Sequence, residues 1–98
     1  MDSKSLIIHE CEDFSLRLEY TPEEAFIHLP FIKKLNKTII SKLQDRVVEL
    51  LDFLLDLGYN RLWAVMESEN LIIKRLTHLI GFEYVADENG YSIYRMGE

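Results

Sequence analysis

The stretch from Arg61 to Met96 constrains this chain more than any other. Leu62, Trp63, Ala64, Val65 and Met66 form a nearly continuous apolar run, the composition of a central strand covered on both sides. A helix is predicted over Glu69 to Ile80, with Ile72, Ile73, Leu76, Leu79 and Ile80 facing inward. Ser68 is placed to cap it, Asn70 stands at its opening, and Gly81 ends it. Phe82 to Ala86 and Tyr91 to Met96 then form a hairpin across Asp87-Glu88-Asn89-Gly90, where Asn-Gly is a strong turn signal. Strand, capped helix and hairpin in immediate succession commit the chain to helices packed on a sheet.

The upstream residues extend this layout. Three β-like stretches come first: Ser5 to Glu10, Phe14 to Tyr20, and Ala25 to Phe31. The second alternates cleanly, with Phe14, Leu16, Leu18 and Tyr20 on one face, and Thr21-Pro22-Glu23-Glu24 supplies the turn after it. A long helix follows from Asn36 to Leu57, with Ile39, Ile40, Leu43, Val47, Leu50, Leu51 and Leu54 in its apolar stripe. Asn36 suits the N-cap and Gly58 the left-handed position after the last turn. Val48, Phe53, Leu55 and Leu57 fall outside the stripe, which implies burial between layers or contact with another chain. The expectation is a single α/β (α+β) domain over residues 1–98, in the order β-β-β-α-β-α-β-β, with a mixed, mainly antiparallel sheet and two helices.

Charge and cysteine content exclude several classes. A net charge of −6 argues against a general nucleic-acid binder, which needs a basic footprint. No apolar run approaches the length of a bilayer span, and no signal-peptide pattern opens the chain. Cys11 is the single cysteine, so no internal disulfide can form, which suits a reducing cytoplasm or a virion assembled in one. His9, Glu10 and Cys11 adjoin, but strand neighbours point to opposite faces and no second ligand pair exists, so no metal is expected. Lys33, Lys34, Lys37, Lys42 and Arg46 cluster about the start of the long helix, either as an anion site or as a solvated face. His28 reads as a partly buried structural residue or a general base.

Asn70, Leu76, Gly81 and Phe82, with the helix and strand from Leu43 to Leu62 and the intervening Gly58, resemble the GNAT acetyltransferase superfamily without its first strand and first two helices. The resemblance implies an acetyl-coenzyme A fold, in which a glycine-rich loop before the long helix holds the pyrophosphate. Leu35, Thr38 and Ile40 fall at that loop's key positions, and two are β-branched where close backbone approach needs no side chain. The tyrosine that protonates the departing thiolate falls at Thr77. Leu62-Trp63, Asn70 and Gly81 also look similar to small internal virion and head-assembly proteins of tailed phages.

Together these imply a fold kept and a reaction dropped, with no catalytic residues and no cofactor. The expected role is protein–protein association, with a second copy or with phage structural proteins, in the bacterial host cytoplasm or the virion. Its surfaces would be Phe53 and Leu55 on the long helix, or Tyr91 and Tyr94 at the edge of the hairpin. The alternative is a divergent N-acetyltransferase using acetyl-coenzyme A, with His28 or Glu67 as base and Lys37 touching phosphate. A second alternative is a small acidic inhibitor or regulator of a host protein.

Overall fold

A computed structural model describes residues 4–10, 14–32 and 36–97, with side chains left aside over residues 5–10 and 30–32. Strands β1 (Lys4–Glu10), β2 (Phe14–Tyr20) and β3 (Ala25–Ile32) precede helix α1 (Lys37–Asp56). Strand β4 (Arg61–Glu67), helix α2 (Leu71–Ile80), and strands β5 (Glu83–Glu88) and β6 (Tyr91–Gly97) complete the expected order. One six-stranded sheet runs β1-β2-β3-β4-β6-β5, parallel between β3 and β4 and antiparallel elsewhere.

Local chemistry sets the ends of α1. Asn36 is extended, and its Oδ1 accepts the Ile39 N–H at 2.9 Å, meeting one of the orphan donors of the first turn. Past Leu57, Gly58 takes φ +101°, which a side chain would resist. Of the stripe, Ile39, Leu43, Val47, Leu50 and Leu54 are buried, while Ile40 and Leu51 are half-buried and pack against the core.

Both helices lie on one face of the sheet. The partners Leu62 and Met96, Ala64 and Tyr94, and Leu18 and Ile27 share that face and join the core with α1 and α2. The opposite face carries no helix among the described residues: Phe26, Trp63, Val65 and Ile93 there are half-buried. The apolar run of β4 therefore does not mark a strand covered on both sides. One side packs on the helices, and the other leaves Trp63 and Val65 partly in solvent.

Helix α2 differs from its expected form at its start and in its orientation. It begins at Leu71 with Asn70 as the cap, whose Oδ1 accepts the Ile73 N–H at 3.2 Å. The Ser68 hydroxyl lies instead 3.1 Å from Ser92 Oγ on β6. Leu76, Thr77 and Ile80 enter the core, while Ile72 and Leu79 are exposed. The hairpin turn is the two-residue Asn89-Gly90, both at positive φ, as its right-handed strand twist demands. Because β6 sits between β4 and β5, Tyr94 is no edge residue. It is 6% exposed and meets the Tyr84 ring edge to face. No helix among the described residues is long and apolar enough to cross a membrane.

Candidate functional site: a cleft between two parallel strands

Strands β3 and β4 are joined by two register pairs only, Phe26 with Trp63 and Ile27 with Ala64, near the start of each strand. Beyond them the ladder stops, and a cleft of about 680 Å³ passes through the sheet. Its closed end is tied by side chains. The Trp63 indole N–H donates to Glu24 Oε2 at 2.5 Å, and the Tyr59 hydroxyl donates to the Thr21 carbonyl at 2.6 Å. Arg61 lies 5.6 Å over the Trp63 ring, a cation–π contact on the same side.

The two mouths of the cleft differ in chemistry. On the helix-free side stand Arg17, Glu19, His28 and Glu67. The antiparallel register of β2 and β3 puts Arg17 opposite His28 and Glu19 opposite Phe26, so Glu19 and His28 share a face. There His28 Nε2 lies 2.9 Å from Glu19 Oε1, which orients the ring and leaves Nδ1 outside that contact. Glu67 ends β4 opposite Tyr91 and is exposed. The structure thus brings both sequence-nominated bases, His28 and Glu67, to one cleft. It also adds Glu19, whose partnership depends on a register that the sequence does not display.

On the helix side the walls are Val47, Ile73, Thr77, Ile80 and Phe82. Thr77 is buried, and its hydroxyl donates to the Ile73 carbonyl at 2.7 Å, inside its own helix. That bond occupies the one proton the side chain could deliver. Nearby, a groove of about 390 Å³ between α1 and α2 is lined by Ile40, Ile72, Leu76 and Leu79, with Lys37 and Arg75 among its walls. Thr38 is exposed in the first turn of α1, Ile40 is half-buried in the groove, and Leu35, Lys33 and Lys34 lie outside the described residues. Arg75 was invisible as a site residue because only the packing of the two helices brings it to the groove that Lys37 lines.

The remaining expected residues are dispersed. Arg46 pairs with Glu49 at 2.7 Å on the exposed face of α1. Phe53 and Leu55 are both exposed, but two residues on a helix are turned about 200° apart and present different flanks. Tyr91 is exposed, whereas Tyr94 belongs to the core. Side chains of His9, Glu10 and Cys11 lie outside the described residues, among which no group of three metal-ligating side chains occurs. A polar brace closes the α2–hairpin corner: Ser92 Oγ donates to Asp87 Oδ1 at 2.6 Å, and Lys74 Nζ reaches the Ser68 carbonyl at 3.4 Å. The Ser92 hydroxyl, followed by Tyr84, Lys74 and Ser68, holds the Asp87 carboxyl below its ordinary range despite desolvation.

No protein-family model and no curated protein sequence matches this chain. Solved structures do. Campylobacter jejuni N-acetyltransferase PseH in complex with acetyl coenzyme A superposes with a TM-score of 0.68 at 12% identity, over 98% of this chain and 68% of that one. An acetyltransferase from Thermus thermophilus gives 0.70 at 19% identity, over 98% and 64%. An acetyltransferase of the GNAT family from Bacillus anthracis gives 0.63 at 15% identity, over 87% and 58%. The chain thus has the fold of the GNAT acetyltransferases and spans 58–68% of the length of these three.

Proposed function

We propose that this chain is a divergent N-acetyltransferase that uses acetyl-coenzyme A. The observation that supports it is the cleft between β3 and β4, which brings His28 and Glu67 to one mouth and opens toward α1 and α2 at the other. Its volume suits a slender acyl-thioester arm, and Val47, Ile73 and Ile80 give its helix side an apolar wall. In the α1–α2 groove, Lys37 and Arg75 would hold phosphate groups beside the start of α1. Side-chain cations would then do what glycine-loop amides do elsewhere, since Thr38 and Ile40 carry branched side chains.

Bound acetyl-coenzyme A supplies a thioester whose C–S bond is exchanged for a C–N bond to an acceptor amine, the departing thiolate taking up a proton. The chain's own part is to move the amine proton. An ammonium must lose one before its nitrogen can attack, and Glu67 accepts it at the helix-free mouth. His28, oriented by Glu19, is placed to take the same role or to relay the proton onward. Thr77 supplies no acid, so water must reprotonate the thiolate.

The test is acetyl transfer from acetyl-coenzyme A to an amine panel, read as thiol release. Glu67→Gln should lower kcat by about 10²–10⁴-fold, the ordinary contribution of a general base, with no loss of fold since Glu67 is exposed. Unchanged turnover in both Glu67→Gln and His28→Ala would remove the two from the chemistry. A second reading, non-catalytic association, is favoured by Thr77 being turned into its own helix. It includes the phage virion or head-assembly role, although none of the three similar structures is described in such terms. No transfer to any amine, together with no binding of the thioester, would select it.

A further inference from the structure

The helix-free mouth of the cleft holds one bonded pair and two charged groups that stand apart from it. His28 and Glu19 are bonded to each other at 2.9 Å. Arg17 lies across the β2–β3 register from His28, is exposed, and lines the cleft. Unlike Arg46, held by Glu49, and Arg61, stacked on Trp63, its guanidinium has no hydrogen bond or ion pair among the described residues. The Glu67 carboxylate, at the end of β4, is likewise exposed and without a partner among them. An unengaged cation and an unengaged carboxylate thus flank one opening.

We propose that Arg17 is the specificity-determining residue for the acceptor, and that the acceptor is an amine carrying a carboxylate several bonds away. An ω-amino acid and the side-chain amine of free lysine share that chemistry. The assignment rests on the acyl-transfer reading. The amine must lie over the cleft between β3 and β4, where Glu67 attracts an ammonium ion and takes its proton. One strand spacing of about 4.8 Å, plus half the cleft, puts the β2 backbone at Arg17 roughly 7 Å to the side of that place. An α-amino acid, with one carbon between its groups, spans only about 2.5 Å, whereas four carbons between them span about 6 Å. A carboxylate at that distance meets the planar guanidinium, which binds it through two parallel N–H donors. A second ammonium in its place would meet like charge, because Glu19 is engaged with His28.

The transfer forms a C–N bond to the acceptor as the thioester C–S bond breaks. The ammonium proton goes to Glu67, and the thiolate leaves as the thiol after taking a proton from water. The acceptor's carboxylate is unchanged throughout. Its contact with Arg17 is made equally in the ground state and the transition state, so the preference it creates appears in KM and leaves kcat level.

The experiment compares 5-aminopentanoate, pentylamine and 1,5-diaminopentane as acceptors, which share an amine on a five-carbon chain and differ at the far end. In the native chain kcat/KM should fall in that order, by about tenfold between the first two, with the difference residing in KM. Arg17→Gln should level the series, and Arg17→Glu should place the diamine first. Each comparison is made on one variant, so a partly unfolded preparation cannot imitate it. Amide chemical shifts of the native chain alone, titrated with 5-aminopentanoate, should move at Arg17 and Glu67 and saturate. Transfer that ignores the far end, or a preference that Arg17→Glu leaves in place, would overturn this inference while leaving the acyl-transfer reading intact. Saturating shifts at Arg17 and Glu67 with no transfer to any of the three would support the subsite and overturn that reading. Neither shifts nor transfer would overturn both.

Discussion

The closed end of the cleft rests on very few bonds, and its strength can be worked out. Two register pairs join β3 to β4, and the Glu24–Trp63 and Tyr59–Thr21 hydrogen bonds fasten the same end. A hydrogen bond to an ionised acceptor contributes about 1.5–3 kcal/mol, and one between neutral groups about 0.5–1.5 kcal/mol. Glu24 and Trp63 are half-buried, so water partly replaces the lost contact and the lower part of the range applies. Glu24→Ala should therefore cost about 1.5–2 kcal/mol. Glu24→Gln, which keeps a neutral acceptor, should cost about 0.5–1 kcal/mol. For a domain of this size, the alanine variant should melt about 6–16 °C lower. Trp63 is the sole tryptophan, so urea unfolding followed by its fluorescence reads the site and the global transition together. If alanine and glutamine variants both stay within about 0.5 kcal/mol of native, the tie is a surface contact and the reasoning fails.

Two further outcomes follow from other parts of the fold. Asp87 has a folded-state pKa below its ordinary 3.8, so its contribution is fully present above that value and is lost as pH falls through the lower folded value. The stability advantage of the native chain over Asp87→Asn should accordingly shrink in acid below about pH 4, and a constant difference from neutral to acid pH would contradict the brace. Gly97 has φ +104°, and a Cβ there would lie 2.8 Å from the Asn60 carbonyl oxygen, which is backbone and cannot easily yield. Gly97→Ala should cost clearly more than Gly58→Ala, where φ is +101° but space is open and only the conformational cost of about 1–2 kcal/mol applies. Equal denaturation midpoints for the two variants would refute the steric argument.

Helix α1 was legible because its determinants are local: a strict apolar spacing, Asn36 before it and Gly58 after it. The Asn89-Gly90 turn was legible for the same reason. Where the sequence misled, the deciding contact is distant in the chain. Ser68 and Asn70 are equally good caps by type, and Ser92, on another strand, draws Ser68 away. Ile72, Leu76 and Leu79 are neighbours on the apolar arc of α2, so periodicity could not decide which edge of that arc, Ile72 and Leu79 or Ile73 and Ile80, turns to the core. The continuous run of β4 looks the same whether one face or both are covered, and only the common side of α1 and α2 shows that Trp63 stays half-buried. Tyr94 is buried because β6 inserts between β4 and β5. Of the site, His28 and Glu67 were named individually. Their meeting at one cleft, the Glu19 contact and the placement of Arg75 all depend on strand register and helix packing.

Calorimetric titration of the chain with acetyl-coenzyme A tests the central claim most directly. The account predicts saturable binding, with the dissociation constant raised about tenfold in Lys37→Ala and in Arg75→Ala, a loss of about 1.4 kcal/mol each. No heat at millimolar ligand would contradict it and leave the cleft without its proposed occupant.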